Sequence, residues 1–311
     1  MLFRLFFLIL TICSGSLCAK LEDHLKKAHG KCGFHKMRNV DFIYMINLDK
    51  RPEKYASCKR QLDPFRIFPY RFSAINGWEL SLEAINDLGI QFSSEMTPGL
   101  MSTYFPIDGN GEPIHEIMNV PGRHYFSHGL ARGTIGCALS HLSVLQDALD
   151  SGYETIWVME DDVVVLQSPH LISDCIDKLD SLVGKKGWDM LFTDQDTISN
   201  ETGTYVVCLS YAPRPNFSPE NPSRFAERIN INEDFRKIGA RYGMYSVIIR
   251  RSGIKKILDF IKQYDLFLPI DMEFYLPSDM RIYTVRNDIV TTQRFAPSDN
   301  GTPGFLQKKQ G

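Results

Sequence analysis

Two cysteines separated by two residues occur nowhere in this sequence, its net charge is not positive, and no segment repeats another. The missing CxxC pair removes a zinc knuckle and a dithiol redox centre from consideration. A formal net charge of -2 and a pI near 6.5 leave no global basic field. Nucleic acid is thereby excluded as a main partner, and any anion has to be held by a local site. The apolar run at the N-terminus, residues 5–12, falls short of the roughly 20 residues of an ordinary membrane span.

That short run is informative for its flanks. Arg4 precedes it and Cys13-Ser14-Gly15-Ser16-Leu17-Cys18-Ala19 follows, the order of a secretory signal peptide over residues 1–19, with an uncleaved signal anchor as the alternative. Either implies the secretory route (periplasm, envelope or ER/Golgi lumen), and the second adds membrane association through the N-terminus. Of the seven cysteines, removal of Cys13 and Cys18 with a signal leaves an odd number, so at least one thiol stays unpaired. Cys32 and Cys58 either pair or act as small buried hydrophobes.

With 43% hydrophobic and 23% charged residues, the composition is that of a folded globular protein. Residues 20–40 are polar and basic and read as a linker, leaving 41–311 as a single domain. Phe42-Ile43-Tyr44-Met45-Ile46 is apolar throughout, as a strand buried on both faces would be. A helix is expected over 51–62, with Pro52 in its first turn, and a second strand over 69–74 before the turn dipeptide Asn76-Gly77. Residues 97–133 are rich in glycine and proline with little periodicity, which suggests a lid or binding loop on the acceptor side. Helical stripes follow over 136–149, 169–182 and 253–261. Strands are expected at 156–159, 188–192, 242–249 and 282–285. The tail from Ala296 reads as loosely packed. Strands alternating with helices, with polar residues after the strand ends, predict an α/β domain whose central, mostly parallel sheet is flanked by helices.

Glu160, Asp161 and Asp162 directly follow the strand at 156–159. Adjacent carboxylates repel unless a cation or water intervenes. In open α/β sheets ligands bind beyond the carboxyl ends of strands, where these acids fall. Oxygen ligands at short spacing suit Mg²⁺ or Mn²⁺, which bridges diphosphate oxygens and neutralises a leaving group. A solvated strand end is the competing interpretation.

Several segments in order make the choice. Met45-Ile46-Asn47-Leu48-Asp49-Lys50-Arg51-Pro52-Glu53, then Gly133-Thr134-Ile135-Gly136-Cys137-Ala138-Leu139-Ser140-His141, then Glu160-Asp161-Asp162, Trp188-Asp189 and Leu268-Pro269-Ile270-Asp271 resemble the glycosyltransferase family 25 enzymes. That family includes bacterial lipooligosaccharide galactosyltransferases and collagen hydroxylysine galactosyltransferases. The resemblance runs from about Phe42 to Val290. It implies a GT-A nucleotide-diphospho-sugar transferase fold and an inverting reaction from a UDP-sugar, with galactose the leading sugar. Acceptors would be a glycan, a glycolipid or a hydroxylated protein. It further implies that Asp162, with Glu160 or Asp161, engages the donor through Mn²⁺. Asn47 and Arg51 would border the nucleotide pocket, Arg132 would meet the diphosphate, and Ser140 and His141 would belong to the same site.

Inversion needs a base for the acceptor hydroxyl opposite the leaving diphosphate. Asp271, at a helix start facing the sheet, is the preferred one; Asp194 and Asp196 are rivals. The sequence departs from the family pattern at Thr134, where Glu is usual, although a hydroxyl still accepts and donates hydrogen bonds. That departure keeps open a catalytically inactive carbohydrate-binding or assembly module. A hydrolase ranks last, because adjacent acids on one strand end are not two carboxylates flanking a bond at roughly 5 to 9.5 Å.

Overall fold

The structure, a computed structural model, describes residues 19–108, 111–199, 202–293 and 298–301. The expected signal segment up to Cys18 and the tail beyond Gly301 lie outside the described residues. No helix of the described residues is long and apolar enough to cross a membrane.

The spine is an eight-stranded sheet in the order Arg228–Asn230, Phe235–Ile238, Ile282–Val285, Met190–Phe192, Ser246–Arg250, Thr155–Glu160, Phe42–Asn47, Tyr70–Ser73. Side chains alternate across it. Tyr44, Ile46, Ile156 and Val158 enter a core built with the helices Arg132–Asp150 and Arg251–Tyr264. Ile43, Met45, Trp157 and Met159 enter a second core with the helices Pro52–Leu62 and Leu171–Val183. Every residue of Phe42–Asn47 is buried, as the unbroken apolar run from Phe42 to Ile46 requires, and Asn47 is the buried polar residue at its end.

The expectation of a mostly parallel sheet is corrected. Phe42–Asn47 runs parallel to both its neighbours, and Ile282–Val285 is parallel to Met190–Phe192. The other pairings are antiparallel, because Ser246–Arg250 is inserted against the direction of both Thr155–Glu160 and Met190–Phe192, and the far edge is a hairpin onto Ile282–Val285. The molecule is a mixed α/β protein, its sheet more antiparallel than parallel. An apolar run reports burial of both faces, which helices on both sides impose whichever way a strand points.

The stretch read as a loop also has structure. Ile90–Gln91, His124–Ser127, Met101–Tyr104 and Ile114–Ile117 form a four-stranded sheet, antiparallel throughout. It buries Phe105, Met118, Tyr125 and Phe126 against the first core. Strands of two to four residues are too short to display a period.

The segment read as a linker lies on the domain. Leu21 is buried, Lys31 Nζ reaches Asp147 at 2.8 Å, and His29 N donates to Tyr70 Oη at 3.0 Å. The described cysteines, Cys32 and Cys58 among them, are all free thiols. Cys58 is buried and donates to the carbonyl of Asp161 at 3.1 Å, so it acts on the acid-bearing turn.

Candidate active site

Because Phe42–Asn47 and Thr155–Glu160 lie side by side and parallel, with Ile46 opposite Glu160, their carboxyl ends open on the same edge of the sheet. A cleft of about 300 Å³ lies there. Its lining includes Asn47, Lys54, Glu160, Asp161, Asp162, Tyr242, Asp271, Gln293 and Asp299. Two elements far apart in sequence thus bring Asn47 to the acids. Asn47 Nδ2 donates to Asp161 Oδ2 at 2.6 Å and to the carbonyl of Arg51 at 2.8 Å, while Arg71 Nε donates to its Oδ1 at 2.7 Å. The amide is fully used, and it fixes Asp161.

The other acids are held differently. Glu160 Oε1 lies 3.0 Å from His141 Nε2. Asp162 takes its backbone position from Gln293 N, which donates to its carbonyl at 2.7 Å, yet its buried Oδ1 has no hydrogen-bond partner among the described residues. Burial, reinforced by the charges of Glu160 and Asp161, pushes the Asp162 carboxyl up to about 7 from 3.8. Burial also raises Asp161, against the lowering effect of the Asn47 amide. A buried carboxylate oxygen without a donor, next to two further carboxylates, is a set that a hard divalent cation satisfies. The residues present therefore fit Mn²⁺ or Mg²⁺.

A pH dependence of stability follows. A carboxyl raised in the folded state binds more protons folded than unfolded, so its contribution is complete below about pH 4 and is lost as pH rises through about 7. The melting temperature of chelator-treated protein is expected to fall across that window. Asp162→Asn should flatten the fall, and Mn²⁺ should restore stability at the alkaline end. A wild-type curve that is flat with chelator present contradicts the assignment.

The helix Arg132–Asp150 forms the opposing wall, and its sequence explains how close it can come. A Cβ at Gly136 would lie 2.4 Å from Gly77 N and 2.6 Å from the Ile75 carbonyl, and one at Gly133 would lie 2.4 Å from the Asn300 carbonyl. Only glycine permits these approaches. Ser140 Oγ accepts from Ile75 N at 2.8 Å and donates to the Gly136 carbonyl at 2.7 Å. Ser140 thus lines the cleft while fastening the 75–77 loop to the helix. Ser140→Ala should strip the half-buried Ile75 N–H of its acceptor and cost about 1–3 kcal/mol of unfolding free energy, read from a denaturant midpoint. No loss would show that water replaces the hydroxyl.

Asp271 sits in the cleft wall at the start of the short helix Ile270–Glu273, and its Oδ2 accepts from Gly243 N at 3.0 Å. Burial raises its carboxyl above the usual range, and Glu160 adds to that. Asp194 and Asp196 are elsewhere. Asp194 is fully buried against Arg241, Tyr245 and Thr291, and Asp196 pairs with Arg228. Both are committed to structure, since a buried charge must be paired.

Arg51 and Arg132 are not among the lining residues. Arg51 pairs with Glu53 at 2.6 Å and with Asp299, and Arg132 donates to the carbonyls of Gly77 and Leu80. Lys54, one turn beyond Arg51, does line the cleft and reaches Asp299 at 2.6 Å. Sequence reasoning missed Lys54, Tyr242, Gln293 and Asp299. Helical spacing from Arg51 was a signal for Lys54 alone; the described end of the tail, Ser298–Gly301, comes back over the cleft through contacts no local pattern reveals. Thr134, the departure from the family pattern, is half-buried on the helix and is not among the lining residues.

An acid cluster at parallel strand ends, walled by a glycine-bearing helix and facing the half-buried Asp271, has the donor chemistry that suits an anionic ligand held through a cation. Residues 40–274 match the model of glycosyltransferase family 25 (LPS biosynthesis protein). That match covers most of the chain, and the protein belongs to glycosyltransferase family 25. It is similar to a glycosyltransferase 25 family member of Aedes aegypti, 26% identical over 60% of this chain and 26% of the relative. It is also similar to the human inactive glycosyltransferase 25 family member 3, 26% identical over 59% of this chain and 25% of that protein. Human procollagen galactosyltransferase 2 is 32% identical over 40% of this chain and 16% of its own length. The chain matches about a quarter of the length of the first two of these relatives.

Proposed function

We propose that this protein is an inverting glycosyltransferase that moves a hexose, galactose first among them, from a UDP-sugar to a hydroxyl of a glycan, glycolipid or hydroxylated protein, on a domain of GT-A type. The observation that carries this is the Oδ1 of Asp162, without a partner among the described residues, beside Glu160 and Asp161 in a cleft of about 300 Å³. That volume is at the lower end of the range for small-molecule sites. Asp162 and Glu160 would hold Mn²⁺ or Mg²⁺, whose chemistry is to neutralise charge on a departing diphosphate. Asn47 holds Asp161 in place from below. Lys54 supplies a cation at the cleft edge, and Asp271, a carboxyl raised by burial, takes the acceptor proton. The secretory route fits an acceptor of this kind, through the signal or anchor at residues 1–19.

Incubating the protein with Mn²⁺ and a panel of UDP-sugars tests the reading. UDP should be released with one donor, and release should rise with a glycan or hydroxylysine-bearing acceptor. Silence across the panel, from protein shown to be folded, would overturn it. A second reading, a non-catalytic carbohydrate-binding or assembly module, is favoured by Thr134 and by relatives whose names include the word inactive. Calorimetry separates the two, since donor binding without turnover supports the module.

A further inference from the structure

We propose that Cys137, His141 and Glu160 form a second cation site, for a borderline-soft divalent ion of the Zn²⁺ class, which shares Glu160 with the all-oxygen set completed by Asp161 and Asp162. Cys137 and His141 are four residues apart on the helix Arg132–Asp150, which puts both on one face. Glu160 meets them from the end of its strand. His141 Nε2 and Glu160 Oε1 are 3.0 Å apart, and one ligand atom from each of the three residues lies within 4.8 Å of the others.

A thiol, an imidazole and a carboxylate in that reach are donors for Zn²⁺ or Co²⁺, whereas Mn²⁺ and Mg²⁺ prefer oxygen alone. Cys137 and Glu160 both line the cleft, so an ion can enter from solvent and keep a water in its fourth position. The His141 side chain is fully buried, and its Nδ1 has no hydrogen-bond partner among the described residues. The ring is therefore anchored only through Nε2, the nitrogen aimed at the site. Burial and the neighbouring acids keep the Cys137 thiol protonated without an ion. Metal binding replaces the S–H bond with a metal–thiolate bond and releases one proton to solvent. Because Nδ1 lacks the outer partner that metal-bound histidines usually have, affinity should fall below that of a structural zinc site. Zinc here engages Glu160, so it should also oppose manganese-dependent transfer, a consequence that rests on the proposed glycosyltransferase activity.

Cobalt titration of the full, folded chain tests the site without an activity assay. A thiolate-to-cobalt charge-transfer band should grow to saturation at one equivalent, and Zn²⁺ should bleach it. Cys137→Ser should abolish the band, and His141→Gln should weaken Co²⁺ binding by at least about tenfold. Cys32→Ser should leave it, which excludes the exposed Cys32, 3.1 Å from His35, as its source. Asp162→Asn should leave it too. The proposal is overturned by absence of the band, by its survival in Cys137→Ser, or by its loss in Cys32→Ser or Asp162→Asn. Failure of UDP release would leave the band untouched, so the two readings fail separately.

Discussion

Asp162→Ala is expected to reduce donor turnover by at least about 100-fold, the scale of losing one preorganised electrostatic element at a leaving group. The same variant should melt at a higher temperature than wild type in chelator at about pH 8. These opposite effects have one cause. Without a cation, Asp162 at that pH is a poorly solvated charge beside two others, which is why its carboxyl is pushed up to about 7 and why its ionised form destabilises the fold. Removing the side chain relieves that repulsion and also removes the oxygen with no partner among the described residues. A residue retained for packing would behave otherwise, losing stability and activity together. Added Mn²⁺ should raise the melting temperature of wild type by several degrees and that of Asp162→Ala by much less. Turnover near the wild-type rate, or an unchanged response to Mn²⁺, would remove Asp162 from the metal site.

How much of this was legible beforehand differs between framework and site. Phe42–Asn47 and Thr155–Glu160 were readable because strands covered on both faces carry unbroken apolar runs, Phe42 to Ile46 and Ile156 to Met159. Their parallel pairing was expected, but the antiparallel Ser246–Arg250 between two other strands was not, since direction leaves no trace in an apolar run. The small sheet spanning Ile90–Ser127 was invisible for a different reason. Its strands are short, and their glycine and proline surroundings resemble loop sequence.

Within the site, Asn47, Glu160, Asp161, Asp162 and Asp271 are brought together at one cleft, and each ends or follows a strand or opens a helix, where ligand-facing polar residues stand out against apolar sequence. Arg51 and Arg132 stood out equally, yet their guanidinium groups are taken by Glu53 and Asp299 and by backbone carbonyls. Sequence position places a cation near a site but does not say which anion it meets. The segment Gly136-Cys137-Ala138-Leu139-Ser140-His141 reads differently once folded. Its glycine and serine serve the approach of the 75–77 loop, while its cysteine and histidine face Glu160. One short helical stretch thus carries both the packing of the cleft and part of its donor set.

Asp271→Asn is the second large effect. Loss of the proposed base should lower the rate of transfer to an acceptor by about 10²–10⁴-fold while the dissociation constant for UDP stays within about twofold. The substitution is mild for the fold, because an asparagine oxygen can still accept from Gly243 N, now at 3.0 Å from the carboxylate. Burial raises Asp271, so the wild-type rate should rise with pH along an ascending limb above the ordinary carboxylate range, and that limb should vanish in the variant. Asp194→Asn provides the contrast. It leaves the fully buried Arg241 without its charge partner, which costs about 3–5 kcal/mol, so folded yield and melting temperature should drop. Whatever Asp194→Asn protein does fold should keep the ascending limb. If Asp271→Asn retains wild-type transfer, Asp271 is a cap for its short helix and the proton goes elsewhere. If it binds UDP normally and transfers nothing, the carboxylate facing the acid cluster is the group that separates a transferase from a sugar-binding module on the same fold.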